Sequence, residues 1–223
     1  MNGAEVGIIF RAGAGRELIF TVLGARLAAG LVLLLSSKMS PALGIAWLVV
    51  AAGNILIDTR FLFAGSDGSD QMVTIVSVTL AVSSVLGSDS QLLGAGLFFI
   101  GAQACLAYSA AGVAKLISPA WRNGDAIRGV LSTRAYGVAA VTVFVQKSPM
   151  LALSLCWGVI AFEVTFILAP ILPLPVLAAL LGTAALFHLC CAVVMGLNGF
   201  FWSFLSAYPA VIFLNRAVTG LLL

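Results

Sequence analysis

Four ionisable side chains interrupt long apolar stretches of this sequence, and their types could do chemistry. They are Arg26, Lys115, Glu163 and His188. An ionisable group costs about 2.5–3.5 kcal/mol at the centre of a membrane helix and usually faces the protein interior. In such a water-poor setting these groups can exchange protons or bind polar parts of a ligand. They are therefore the first candidates for functional residues.

Lys115 is the leading candidate for a general base. It lies at the end of the apolar run 106–116, and Pro119 and Trp121 follow it closely. Two interpretations remain open. Lysines near helix ends extend their ammonium groups toward lipid headgroups. Alternatively, Pro119 and Trp121 hold the amine against the protein, where burial disfavours its charged form and a neutral amine can accept a proton.

His188 is the single histidine of the chain and lies near the middle of an apolar run. An imidazole can donate or accept a proton near neutral pH, so one interpretation is proton transfer or a hydrogen bond to a substrate. The other interpretation is a hydrogen-bonded residue of the core. Both remain open from the sequence.

Glu163 is expected to be paired, and Arg26 is one candidate for its partner. Arg26 lies midway along the first apolar run, and its structural interpretation is a pair with Glu163 or with backbone carbonyls. Glu163 is either that counter-ion or a partner that tunes Lys115. Trp121, Asn198 and Tyr208 fall near predicted membrane boundaries, where interface contacts are their first interpretation and substrate contacts their second. The predicted catalytic residues are Lys115 and His188, and the predicted substrate-binding residues are Arg26, Trp121, Glu163, Asn198 and Tyr208.

The remaining chemistry-bearing residues exclude some functions. All four cysteines, Cys105, Cys156, Cys190 and Cys191, lie inside apolar runs without a Cys-x-x-Cys pair, which argues against a disulfide oxidoreductase. We interpret them as small packing residues. One histidine and no carboxylate cluster give no expectation of a metal site.

Composition sets the elements that must position these residues. Of 223 residues, 62% are hydrophobic and 9% are charged, whereas soluble domains carry about 25% charged residues. The chain is therefore predicted to be an integral membrane protein. At roughly 20 residues per span it has room for about six or seven helices, and lipid favours an all-α bundle because helices satisfy their own backbone.

A single membrane domain with six full spans and a short or broken seventh is predicted. The predicted spans cover 18–36, 41–57, 72–86, 92–116, 151–168, 176–197 and 200–214, the last interrupted by Pro209. Residues 118–149 form the longest segment between spans. Its apolar part, 136–145, is too short to cross and is predicted to lie in the interface or to re-enter the membrane.

The distribution of Lys and Arg predicts orientation. The N-terminus, the loop 58–71 and the segment 118–149 fall on one side and hold most basic residues, whereas the other side holds little beyond Lys38. This pattern predicts a cytoplasmic N-terminus. The net charge of +3 is small, so it does not indicate a nucleic-acid partner, and an anionic lipid leaflet accounts for it.

The segment 108–116, Tyr-Ser-Ala-Ala-Gly-Val-Ala-Lys-Leu, with Trp121 and Gly124 after it, resembles the membrane domain of vitamin K-dependent gamma-glutamyl carboxylase. It also resembles the wider bacterial set of horizontally transferred transmembrane (HTTM) proteins, including sporulation-delaying-protein-B-like members. A second similar stretch contains Phe187-His188 and the segment 195–209. In this resemblance Lys115 falls on the lysine assigned as the catalytic base.

The resemblance implies oxidation of a reduced quinone in a bacterial cell membrane. Lys115 would take a proton from reduced vitamin K or menaquinone, and O₂ would convert the quinol to an epoxide through a strongly basic alkoxide. That alkoxide would remove the gamma proton of a glutamate side chain, and CO₂ would add in its place. His188 would hydrogen-bond the quinol oxygen or stabilise negative charge on it. Since the sequence ends at Leu223, we expect the carboxylase's lumenal peptide-binding domain to be missing, so quinol oxidation or maturation of a small peptide with a partner subunit is favoured.

Two functions of different kinds therefore remain open. The first is a quinol-dependent epoxidase, with membrane lipid, a quinone and a peptide substrate or partner subunit as its partners. The second is a non-catalytic membrane subunit for toxin-peptide maturation or immunity. A transporter is less favoured because the sequence has no repeated halves. The setting of Lys115 distinguishes the first two: the enzyme needs its amine in the interior, whereas the subunit tolerates it at the headgroups.

Overall fold

The structure, a computed structural model, describes residues 14–36, 41–60, 68–86, 90–133, 136 and 138–220. These residues are almost entirely helical and include no strand, which confirms the all-α fold class. The helices are α1 (Ala14–Leu35), α2 (Pro41–Arg60), α3 (Gly68–Val85), α4 (Ser90–Ile117), α5 (Pro119–Arg122), α6 (Asp125–Leu131), α7 (Ala139–Lys147), α8 (Pro149–Thr165), α9 (Leu174–Met195) and α10 (Asn198–Val218), with a 3₁₀ helix (Phe166–Ile171) after α8.

Four described segments are long and apolar enough to cross a membrane. They are Glu17–Leu35, Gln91–Ile117, Pro149–Ile171 and Leu174–Met195. They support a membrane protein with transmembrane helices, although four rather than the predicted six or seven meet this measure. Of the other long helices, α2 has the shorter apolar stretch Leu43–Ile57, and serines and threonines recur along α3.

The segment between α4 and α8 folds into the three short helices α5, α6 and α7. Helix α7 packs on α6 through polar contacts: Thr142 Oγ1 donates to the Leu131 carbonyl at 2.6 Å, and Gln146 Nε2 donates to Ser132 Oγ at 2.7 Å. The apolar side chain of Phe144 remains exposed. None of the three helices has the roughly 20 residues that a span needs.

Helix α10 is continuous through Pro209, where a short or broken span was predicted. A proline removes one helical hydrogen bond and crowds the preceding turn. Tertiary contacts offset this cost, because Val211 is fully buried and Asn215 Nδ2 donates to the carbonyls of Ala169 and Leu172, both at 2.9 Å. The buried face of α10 thus keeps the helix intact against its local sequence.

The described helices pack as two compact units that divide within α4. The first unit extends through Gly96 and the second begins at Leu97. In the second unit α9 packs against α10, and both contact the 3₁₀ helix. Gly196 ends α9 in the left-handed region, at a φ of 73°, which glycine adopts without a side-chain clash. Lys38 and residues 61–67 of the predicted loop 58–71 lie outside the described residues.

Candidate functional site

Helices α4 and α8 approach each other closely at Gly112. A Cβ atom at this position would lie 2.6 Å from the backbone nitrogen of Val164 and 2.9 Å from the carbonyl carbon of Glu163. No side chain larger than hydrogen fits there without moving backbone. The glycine therefore brings Lys115, almost one turn further along α4, within reach of Glu163 on α8.

Lys115 and Glu163 form an ion pair between these helices. Lys115 Nζ lies 2.9 Å from Glu163 Oε1 and 2.7 Å from Oε2, so the amine bonds both carboxylate oxygens. The Glu163 side chain is 5% exposed and that of Lys115 is 21% exposed. Of the two alternatives for Glu163, the structure thus shows the second, in which Glu163 is the partner of Lys115. The amine points at the carboxylate rather than only outward to headgroups, and each charge is neutralised by the other.

Trp121 covers the ion pair from the short helix α5. Lys115 Nζ lies 5.2 Å from the centre of the indole ring, a distance at which a cation is attracted to an aromatic face. Two contacts hold this turn against α8: Trp157 Nε1 donates to the Arg122 carbonyl at 3.2 Å, and Gly124 packs against the backbone of α8 with a φ of 89°. Trp121 is thereby fixed over the amine.

A second polar cluster consists of Tyr108, His188 and Tyr208. The Tyr108 hydroxyl lies 2.7 Å from His188 Nε2 and 3.2 Å from the Tyr208 hydroxyl. All three side chains are buried, with 3%, 4% and 8% of their surface exposed. Helices α4, α9 and α10 each supply one member. The middle hydroxyl, that of Tyr108, links the other two groups into a hydrogen-bonded chain.

An aromatic cluster surrounds these polar groups. Tyr108 stacks on Phe166 with ring centres 3.9 Å apart, and His188 stacks on Phe204 at 4.6 Å. The other members of the cluster are Phe162, Phe187 and Phe200. Within this apolar shell His188 Nδ1 is buried and has no hydrogen-bond partner in the described part of the chain. Buried polar atoms are rarely left unpaired, so this nitrogen is a candidate ligand contact.

The two clusters are neighbours on one helix but separate in their bonding. Tyr108 and Lys115 are seven residues apart, which places them on the same face of α4 and about 10 Å apart along its axis. Residues 90–133 and 138–220 provide no hydrogen bond or ion pair between Lys115 and His188. The two predicted catalytic residues, Lys115 and His188, thus have different hydrogen-bond partners.

Two predicted binding residues lie elsewhere. Arg26 belongs to the first unit, where its guanidinium donates to Asn54 Oδ1 at 3.4 Å and its side chain crosses over Gly53. Its partner is thus the side-chain amide of Asn54, whereas the sequence was interpreted as a pair with Glu163 or with backbone carbonyls. Asn198 is exposed in the first turn of α10. Trp121, Glu163 and Tyr208 are the predicted binding residues that contact Lys115 or the His188 cluster.

Tyr108 is the site residue that the sequence reasoning missed. It was counted as part of a similar stretch and not as a functional group. A signal was present, because a tyrosine two helical turns before Lys115 shares its face and a buried phenol needs a hydrogen-bond partner.

Over the residues that the structure describes, no group of three His, Cys, Asp or Glu side chains is arranged to hold a metal ion. Together, the two polar clusters offer one ion pair, one imidazole and two phenols. Comparison of the chain with protein-family models, with curated proteins and with solved structures gives no match.

Proposed function

We propose that this chain is an integral membrane enzyme of the vitamin K-dependent carboxylase type, which oxidises a reduced menaquinone or vitamin K with O₂ to the epoxide. One observation carries the proposal: an amine and a carboxylate are paired between two candidate spans, beneath an indole ring and beside an aromatic cluster. A paired acid and base in such a setting can exchange a proton with a lipid-soluble acid without exposure to bulk water.

The ion pair changes the expected role of Lys115. A lysine bonded to both oxygens of a carboxylate does not act as an isolated neutral amine. The base is therefore the pair: Glu163 holds the accepted proton at a carboxylate oxygen, and the Lys115 ammonium group is left with an unbalanced positive charge. That charge stabilises negative charge developing on a nearby oxygen.

We propose the His188 cluster as the binding site of the quinone ring. Its unpartnered Nδ1 offers one polar contact, and the surrounding phenylalanines offer apolar walls, the combination that small-molecule sites commonly have. The reduced quinone supplies the electrons and the acidic hydroxyl when bound. The chain's own residues orient it, exclude water and receive its proton. Carboxylation of a glutamate, or maturation of a peptide, would use CO₂ and a separate peptide substrate or partner subunit.

The proposal includes the finer features expected from the sequence. These are six or seven spans, a bacterial cell membrane, a cytoplasmic N-terminus and kinship with the HTTM proteins. The resemblance around Lys115 and His188 supports the kinship, and the distribution of Lys and Arg supports the orientation.

A non-catalytic membrane subunit for toxin-peptide maturation or immunity is the second candidate. A specific observation favours it: Lys115 and Glu163 satisfy each other, as the members of a structural ion pair do. Such a pair would hold α4 against α8 and would need no substrate.

Product analysis separates the two candidates. Protein in lipid nanodiscs is incubated with reduced menaquinone and O₂, and the epoxide is measured by mass spectrometry. We expect the epoxide from wild type and a loss of about 10²-fold or more in K115M and E163Q, since general acid–base groups contribute about 10²–10⁴-fold. The control K147M changes an exposed lysine at the end of α7 and should retain activity. Equal rates in K115M and wild type would remove the pair from the mechanism, and no epoxide from wild type would favour the subunit.

A further inference from the structure

We propose that Tyr108 and Tyr208 are positioning residues that hold His188 in its Nδ1–H tautomer, so that its ring presents a hydrogen-bond donor to an oxygen acceptor of a ligand. The tautomer inference stands on the cluster alone. Only the identity of the ligand, a quinone, rests on the proposed function. The inference assigns Tyr108 a role and narrows the ligand to one that offers a carbonyl oxygen or an oxyanion.

A neutral imidazole has one N–H and one bare nitrogen, and each phenol has one O–H. The three groups can therefore be ordered in two directions. In the first, Tyr208 donates to the Tyr108 oxygen, and Tyr108 donates to the bare Nε2 of His188. Both bonds that the distances indicate are then made by phenolic hydrogens. The single group left over is the N–H at Nδ1.

In the second direction His188 Nε2–H donates to the Tyr108 oxygen, and Tyr108 donates to Tyr208. The hydroxyl hydrogen of Tyr208 then has no acceptor within the cluster, and the bare Nδ1 has no donor. Two buried groups are unpaired instead of one. Because each unpaired polar group costs free energy in an apolar core, the first direction is favoured.

The geometry of the Tyr108–His188 contact agrees with this order. Its 2.7 Å separation is usual for a hydrogen bond donated by a hydroxyl and short for one donated by a ring N–H. The rings are held in place by stacking, Tyr108 on Phe166 and His188 on Phe204. Neither ring can turn to exchange its partners without disturbing these contacts.

The Nδ1–H group then determines what the site accepts. A buried donor without a partner favours a ligand that brings an acceptor oxygen and disfavours an apolar ring of the same shape, which would leave the donor unpaired. A quinone carbonyl or a deprotonated quinol oxygen meets this requirement. Tyr108 and Tyr208 themselves need not touch the ligand, because they act through the tautomer of His188.

The single histidine makes the test direct, since protein labelled with ¹⁵N-histidine gives the signals of His188 alone. The protein is studied in lipid nanodiscs by ¹H–¹⁵N correlation through the ring couplings, which identifies the protonated nitrogen. We expect the proton on Nδ1 in wild type. We also expect that Y108F loses this single tautomer, whereas Y136F, which changes the exposed third tyrosine, keeps the wild-type spectrum.

Y208F provides a second variant, which keeps the hydrogen bond between Tyr108 and His188. We therefore expect it to retain the proton on Nδ1, with a smaller change from the wild-type spectrum than Y108F shows. A wild-type proton on Nε2, a doubly protonated ring, or a Y108F spectrum identical to wild type overturns the proposal. If Y108F does not fold, the wild-type spectrum and that of Y208F still decide the tautomer.

The donor role is tested with two matched probes. Menadione brings carbonyl oxygens, and methylnaphthalene has the same ring skeleton without them. We expect menadione, but not methylnaphthalene, to shift the Nδ1–H signal. Equal shifts, or none, overturn the donor role. An Nδ1–H signal that responds to menadione in a protein that forms no epoxide supports this inference and contradicts only the proposed function.

Discussion

Removing Lys115 alone should destabilise the protein more than removing Lys115 and Glu163 together. K115M leaves the Glu163 carboxylate, 5% exposed, without its cation. E163Q leaves the Lys115 ammonium group beside Trp121 with a neutral partner. The double variant K115M/E163Q leaves no charge and nearly the same volume. A double-mutant cycle over these variants therefore measures the pair itself.

The expected magnitudes follow from burial. Removing one member of a buried ion pair costs about 3–5 kcal/mol, and we expect about 3 kcal/mol for K115M because the 21% exposure of Lys115 shows that solvent or headgroups reach the pair. E163Q should cost about 2 kcal/mol, since the ammonium group keeps its aromatic contact. The double variant should also cost about 2 kcal/mol, because the amide at position 163 is buried without a partner although no charge remains. The coupling energy is then about 3 kcal/mol, the upper end for residues in contact.

Unfolding by sodium dodecyl sulfate in mixed micelles measures these free energies, with the fluorescence of the four tryptophans as the signal. K147M serves as the control for removing an exposed lysine and should change stability by less than about 0.5 kcal/mol. Costs that simply add, with a coupling energy below about 0.5 kcal/mol, would refute the conclusion that the two charges stabilise each other between α4 and α8.

Two further substitutions test the packing that positions the site. G112A should destabilise the protein by about 1–3 kcal/mol, because its Cβ atom would overlap the backbone of α8. The control G158A lies in open space on α8 and should be neutral or stabilising by up to about 1 kcal/mol. Equal effects of the two substitutions in the same unfolding assay would contradict the close approach of α4 and α8. N215L should destabilise the protein by about 1–3 kcal/mol, because it leaves the carbonyls of Ala169 and Leu172 unpaired. The control N198L, at an exposed position of the same helix, should change stability little. A free energy of unfolding that is the same in N215L and wild type would show that these hydrogen bonds do not stabilise α10.

Much of the helical framework could be predicted from apolar runs alone. Predicted spans 92–116 and 176–197 correspond to α4 (Ser90–Ile117) and α9 (Leu174–Met195) within two residues. Long apolar stretches specify helices in lipid because no other local structure satisfies the backbone. Hydropathy does not decide whether α3 crosses a membrane, because serines and threonines recur along this helix.

The partners of the site residues could not be predicted in the same way. Lys115 and Glu163 were both singled out, but 48 residues separate them, and their pairing depends on the close approach at Gly112. Tyr108 was missed because its role depends on His188, which lies 80 residues later in the chain and contacts Tyr108 from another helix, α9. The sequence shows which side chains cost free energy to bury, whereas the packing of the helices determines which partner offsets that cost.

The source of oxygen in the product tests the central claim most directly. Wild-type protein in nanodiscs is given reduced menaquinone under ¹⁸O₂, and the lipid extract is analysed by mass spectrometry. The proposed function predicts menaquinone epoxide carrying one ¹⁸O atom from wild type and K147M, and almost none from K115M/E163Q. Labelled epoxide formed equally by the double variant, or only unlabelled quinone from wild type, would contradict the proposal that the Lys115–Glu163 pair starts the oxidation of a quinol.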